Sequence, residues 1–383
     1  MTNIPLYQKI VDAIKAKIGS GELGSGDQVP TEAELSSQFG VSRITSKRAL
    51  TELENEGLIY RVQGRGSFVR EQSQTAPHGQ GQAAEAGGQV HSGPYGNAEN
   101  SVLLILPFAH NPGLGDYEKG INDYLSQAGY TLNIQSSSNF GQRRLLENAL
   151  RGPNRGLIYY PVDSHSDVGA LYQYRLKQFP IVIMDKQIEG LPFPSVVSDN
   201  FGGGYMATAH LIQNHHQKIA FISSLKVESS YSIRERYLGY LKAMFDHGLL
   251  DREAADTTDH YLAHEVDISR ESYIRLIQSL LEQGVTAVVA ENDLRAIEFI
   301  GAAKEMGLSV PDDLSIIGFD NIQLADLIEP KLTTISQNFE QMGYMAAEML
   351  VQQIRNPMQR PEPAIVPVAL MERQTVKTLQ GRS

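Results

Sequence analysis

No cysteine occurs in the 383 residues, so neither a disulfide framework nor a thiolate-held metal is open to this chain. No stretch approaches the roughly 20 consecutive apolar residues that a membrane-spanning helix needs. The opening residues MTNIPLYQKIVDAIKAKI hold no uninterrupted apolar run of the kind an export signal carries, so a cytoplasmic location and no membrane partner are expected. Signatures of catalysis are also missing. There is no Gly-x-Ser-x-Gly elbow, the serines of SSSN (136–139) have no identifiable base, and no pair of carboxylates stands out as an acid–base couple. FGGGYMA (201–207) is glycine-rich but matches no phosphate-binding loop, and reads as close helix packing. His260 and His264 share the i, i+4 spacing of metal ligands without a third ligand nearby, so neither a metal nor a cofactor is expected. His215-His216 reads as a helix terminus.

What is present points to two parts. The length exceeds one ordinary core, which favours two or three domains. The net charge is −11, and it is unevenly spread. Residues 1–70 carry nine Lys and Arg against eight Asp and Glu, whereas the chain beyond residue 100 is acidic. Within the small part the bases crowd the second half: Arg43, Lys47, Arg48, Arg61, Arg65 and Arg70. Between the parts, residues 71–100 are rich in Gln, Gly and Ala and poor in aliphatics, the composition of a flexible linker.

In the small part, Leu6, Ile10, Ile14 and Ile18 recur every fourth residue, an amphipathic helix. Thr31 with Glu34 three places on forms a capping box ahead of EAELSSQF. The short GVS then leads into a third helix capped by Ser42. Two helices joined so tightly are a helix-turn-helix signal. LIYRV and SFV flank QGRG, a hairpin whose glycine-bracketed tip holds Arg65 toward solvent. The first turns of the third helix would offer Ser42, Arg43, Thr45, Lys47 and Arg48 to a DNA groove, where arginine can pair bidentately with guanine.

Beyond residue 100, apolar strand-like runs alternate with amphipathic helices: SVLLILP, YTLNIQS, RGLIYYP, PIVIMD, SVVSD, KIAFISS, VTAVVA and LSIIGFD. This is the pattern of βαβ units, and so many strands fit two doubly wound parallel sheets better than one. LTTISQ and PAIVPVAL are expected to carry the chain between the lobes, with one lobe near 101–197 and 337–365 and the other near 198–336 and 366–383. Ligands of such sheets bind beyond the carboxyl ends of the strands. The residues there include Phe108, Asn139, Asp185, Lys186, Glu291, Asn292, Asp293, Asp320 and Asn321. Carboxylates and amides with an aromatic suit a polyhydroxylated ligand.

Residues 29–69, VPTEAELSSQFGVSRITSKRALTELENEGLIYRVQGRGSFV, resemble the winged-helix domain of the GntR family of bacterial transcription regulators. That resemblance implies DNA contacts at Arg43 and Thr45 and at the tip Gln63, Gly64, Arg65 and Gly66. Thr31 is placed with them. Lys47 stands where the family usually has arginine, and a point charge suits phosphate better than a base. The large part resembles the sensor domain of the LacI/GalR family, itself similar to periplasmic sugar-binding proteins. There the Arg-x-x-Gly motif falls on Arg236 and Gly239, the Asn-Asp pair on Asn292 and Asp293, and Gly-Phe-Asp on Gly318 to Asp320. Arg236, Asn292, Asp320 and Asp185 are thereby implied as effector ligands, with Phe108 and Asn139 as first-lobe candidates. The pairing of the two domains is similar to the arabinose-repressor group. The expectation is therefore a dimeric, sugar-responsive repressor of operator DNA, with a pentose such as L-arabinose as effector. The alternatives are an activator, a nucleoside sensor, or, with less support, a solute-binding protein or an enzyme.

Overall fold

Why the small part folds is clearest at its helices. In the computed structural model the helix Leu6–Gly19 buries Ile10, Val11 and Ile14. They meet Val29, Leu35, Ala49, Leu50, Leu53, Ile59 and Val69 in one core. The structure describes residues 6–19, 22–24, 26–41, 45–47, 49–50, 53, 59–62, 66–69, 100–107, 116–136, 142–164, 167–250, 262–264, 269–357 and 361–380. Of the expected site residues, Ser42, Arg43, Arg48, Gln63, Gly64, Arg65, Phe108 and Asn139 lie outside them, as do His260 and residues 71–99 of the linker.

The capping box is formed. Thr31 Oγ1 accepts from the Glu34 amide, and the Glu34 carboxylate accepts from the Thr31 amide at 2.8 Å. The helix Glu32–Phe39 stops at Gly40, whose φ of 63° is the left-handed conformation that glycine adopts at no steric cost. Residues 45–47, 49–50 and 53 are helical, and Ser46 bonds Ser36 across the two helices at 3.1 Å. Leu50 turns into the core, while Lys47 stays on the exposed side. Strands β1 (Gln28–Val29), β2 (Ile59–Val62) and β3 (Gly66–Val69) form an antiparallel sheet in the order β1-β3-β2, with Val62 opposite Gly66. That is a winged helix.

The chain divides into two compact units, Met1–Ser92 and Gly93–Ser383. The larger contains two six-stranded sheets. The first comprises β4 (Ser101–Leu106), β5 (Thr131–Ser136), β6 (Gly156–Tyr159), β7 (Ile181–Met184), β8 (Ser195–Ser198) and β14 (Ala364–Val366). Its order is β14-β8-β7-β6-β4-β5, parallel throughout. The second comprises β9 (Ile219–Ser223), β10 (Leu262–His264), β11 (Ala287–Ala290), β12 (Ser315–Asp320), β13 (Thr333–Ser336) and β15 (Ala369–Met371). Its order is β10-β9-β11-β12-β13-β15, with β15 antiparallel at the edge. The first five strands of each sheet follow the same doubly wound order. Strands covered on both faces, such as IVIM and AVVA, are buried at every position.

The chain passes between the sheets after β8, after β13 and after β14. Strand bounds put Ser198 and Val366 in the first sheet. The helix Phe339–Arg355 returns to the first lobe, where it packs on the helix Tyr117–Ala128. FGGGYMA lies in the helix Asn200–Gln213, where Gly204 meets the backbone of Arg236 on the neighbouring helix Tyr231–Asp246. The helix Asn200–Gln213 ends just before His215, which adopts φ 66°, a left-handed conformation that glycine takes most readily. Its neighbour His216 is buried, held by Thr286 Oγ1 at 2.9 Å and the Lys377 carbonyl at 3.0 Å.

Candidate effector cleft and DNA-reading surface

The cleft residues sit where parallel strands end. From the first lobe come Tyr160 after β6, and Asp185 and Lys186 after β7. Lys186 Nζ donates to Asp185 Oδ2 at 2.8 Å and lies 4.5 Å from the centroid of the Tyr160 ring. The Tyr160 ring meets Tyr117 edge to face, with centroids 5.8 Å apart. Burial, followed by repulsion from Asp185, pushes both tyrosine hydroxyls well above their ordinary range, so they act as neutral hydrogen-bonding groups.

From the second lobe, the Arg236 guanidinium carbon lies over the Phe319 ring, 3.6 Å from its centroid. Its Nε donates to Asn200 Oδ1 at 2.8 Å and its NH1 to the Glu291 carbonyl at 2.5 Å. NH2 reaches Asp320 Oδ1 at 3.5 Å. Gln337, on the crossing after β13, donates to the same Asp320 oxygen at 2.6 Å and accepts from the Ser198 hydroxyl of the first lobe. The Asp320 side chain keeps 22% of its surface exposed. Burial raises its pKa to about 6; Arg236 and Gln337 oppose that shift, and Asp185 and Glu291 add to it. The influence of Asp185 on Asp320 places the two lobes' carboxylates within electrostatic reach of one another. At the lip, the Tyr231 amide donates to Ser164 Oγ at 3.0 Å and Arg234 pairs with Glu189, so second-lobe residues are tied to the first.

Arg236 and Asp185 thus both act on Asp320. Asn292, after β11, spends its Oδ1 on capping the helix Asp293–Glu305, accepting from the Arg295 amide at 2.9 Å. Sequence reasoning noted Lys186 and Glu291 at strand ends without choosing them as effector ligands, and it missed Tyr160, Tyr117, Asn200 and Gln337. Lys186, Glu291 and Gln337 all follow strands, so the strand-end rule that selected Asp185 reaches them too. Tyr117 sits in the first turn of a helix, where no such rule applies. Lys186, after β7, and Arg236, on the helix Tyr231–Asp246, are each matched by a carboxylate. Such a cleft can bond hydroxyls through paired donors and acceptors, and Lys186 and Arg236 offer no uncompensated positive charge to an anion.

In the smaller unit, exposed Lys47 and half-buried Thr45 stand on the helix side opposite Ser46, Ala49, Leu50 and Leu53. Thr31 spends its hydroxyl on the cap. Gly66 opens β3 at the hairpin's second strand. Among the described residues there is no group of three metal-ligating side chains, and no helix is long and apolar enough to cross a membrane.

A winged helix in one unit and a two-lobed ligand-binding body in the other define a ligand-controlled transcription regulator. Residues 6–69 match the gntR family of bacterial regulatory proteins, and residues 208–376 match the periplasmic binding protein-like domain. The chain is 31% identical over 360 residues to an arabinose metabolism transcriptional repressor of Geobacillus stearothermophilus, covering 92% of each. It is 31% identical to the HTH-type transcriptional repressor PurR of Photobacterium profundum, over 68% of this chain and 76% of that one. A LacI family regulator from Enterococcus faecium, solved with bound ribose, superposes with a TM-score of 0.61 at 26% identity, covering 73% of this chain and all of that one. The chain belongs to the GntR family of bacterial transcription regulators, in the branch that carries a LacI-type sensor. These relatives are regulators, not enzymes.

Proposed function

We propose that the chain is a sugar-responsive repressor that binds operator DNA through its winged helix and is released when a pentose, L-arabinose first among candidates, closes the two lobes. The observation that carries this reading is the set Asp185, Asn292 and Asp320 at strand ends with Arg236 on a neighbouring helix, where Lys186 and Arg236 are already matched by carboxylates. An uncharged polyol fits that set better than a phosphorylated sugar. Release follows if closed and open lobes favour different DNA-binding states, since a ligand shifts an equilibrium only by its differential affinity. A thermal-shift screen across pentoses, hexoses and nucleosides tests it. A stabilisation by L-arabinose supports the reading, and a response to nucleosides alone overturns it.

On the DNA side, Ser42, Arg43, Thr45 and the tip Gln63–Gly66 read the operator, with Lys47 on phosphate and Arg48 and Thr31 beside them. Arg43→Ala is expected to weaken specific DNA binding by about 1–3 kcal/mol and leave sugar binding intact. Gel-shift titration beside calorimetry checks both halves. The functional species is a homodimer reading a pseudo-palindrome from the cytoplasm. Supporting this, edge strand β5 is largely exposed, and Leu324 and Leu327 are exposed on one short helix. Sedimentation of the operator complex should give two chains per duplex; one chain per duplex contradicts it.

A further inference from the structure

The residue that ends β12 is oddly placed. Asp320 has φ 121° and Asn321 φ 58°, two successive non-glycine residues in backbone regions that side chains disfavour. Such a turn persists only if its surroundings hold it. Asp293, wholly buried in the first turn of the helix Asp293–Glu305, supplies one hold. Its Oδ2 accepts from the Ile322 amide at 2.9 Å. Thr334 Oγ1 meets its other oxygen at 2.5 Å. Room for that carboxylate exists because residue 318 is glycine: a Cβ there would stand 2.2 Å from Asp293 Oδ1. Arg373, after β15, grips the same turn from elsewhere. Its NH2 donates to Asn321 Oδ1 at 2.7 Å and its NH1 to the Leu332 carbonyl at 2.7 Å, while Asn321 Nδ2 donates to Ser336 Oγ at 3.1 Å.

We propose that Asp293 and Arg373 are positioning residues, which clamp the turn Asp320–Ile322 so that the Asp320 carboxylate faces the effector. Neither needs to touch the ligand. The arrangement is poor for stability alone, because a second buried carboxylate repels Asp320, and that repulsion helps raise the Asp293 pKa after burial has done most of it. A neutral residue would avoid it, so the carboxylate is better explained by the bonds it accepts from the Ile322 amide and the Thr334 hydroxyl than by packing. This inference rests on the reading of the cleft as the effector site.

The full-length chain tests it, with L-arabinose as the probe. Failure of the wild type to bind L-arabinose strikes the effector reading, not the clamp, and the clamp has its own readout without ligand. In Asp293→Ala, amide hydrogen exchange at Ile322 should quicken at least tenfold, with exchange in β9 and β11 unchanged. L-arabinose affinity should fall at least tenfold while operator affinity holds. Asp293→Asn, which keeps one acceptor oxygen for the Ile322 amide and a donor for Thr334, should recover affinity to within a few-fold of wild type. If Asp293→Ala does not fold, Arg373→Gln reads the same turn from its other side, again as faster exchange at Ile322 and weaker sugar binding. Unchanged exchange at Ile322, or equal loss in the Ala and Asn variants, overturns the proposal.

Discussion

Asp320→Ala is expected to weaken effector binding by about 3 kcal/mol, more than a hundredfold in Kd, while operator binding survives. The carboxylate accepts from Gln337 and lies against Arg236. A hydrogen bond from a ligand hydroxyl to a charged group contributes about 1.5–3 kcal/mol. The alanine variant loses that acceptor and leaves Arg236 without its carboxylate. The same residue sets a pH dependence. With its pKa raised to about 6, the carboxylate is protonated as pH falls from 7 toward 5, so sugar affinity should drop across that window. Stability runs the other way. A folded-state pKa above the ordinary 3.8 stabilises the fold most below pH 4, and that contribution is lost as pH rises through about 6. Comparing Asp320→Asn with wild type isolates both effects. The variant should lose the step in affinity near pH 6, and its stability relative to wild type should increase over the same rise. A flat affinity profile in the wild type would remove Asp320 from the binding account.

Gly204→Ala should destabilise the sensor by about 3 kcal/mol, the reverse of the usual gain from replacing a helical glycine. The helices Asn200–Gln213 and Tyr231–Asp246 cross backbone to backbone. A Cβ on Gly204 would lie 2.0 Å from the Arg236 carbonyl oxygen, and one on Gly239 would lie 2.1 Å from that of Phe201. Neither obstacle is a flexible side-chain end, so the helices must separate, and Arg236 moves with its backbone. Thermal denaturation followed by circular dichroism should show the sensor transition fall by several degrees, with sugar affinity reduced as well. A variant as stable as wild type would mean that this crossing tolerates separation.

The strands were legible where burial on both faces makes them continuous apolar runs: IVIM, SVVS, IAFIS and AVVA stand as β7, β8, β9 and β11. Strand β10, Leu262–His264, was not, because three residues carry no periodic signal. The capping box at Thr31 was readable from two residue types at fixed spacing, since that chemistry is local. Asn292 shows the opposite limit. Its type and place mark it for the cleft, but that its oxygen caps a helix depends on the backbone of Arg295. Gln337 and Asn200 act through partners far along the chain, Asp320 and Arg236, and only the folded lobes bring them together. The helix glycines were read as close packing, although sequence alone could not name Arg236 and Phe201 as what they pack against.

The central claim joins a DNA-reading winged helix to a sugar-sensing body in one chain. Its most direct test is the fluorescence anisotropy of a labelled duplex, selected by the purified protein from a random pool, titrated with L-arabinose. The account predicts tight binding without sugar and release as L-arabinose saturates the cleft, with Asp320→Ala bound throughout. A protein that selects no duplex, or one whose duplex stays bound while calorimetry shows the cleft filled, would contradict it.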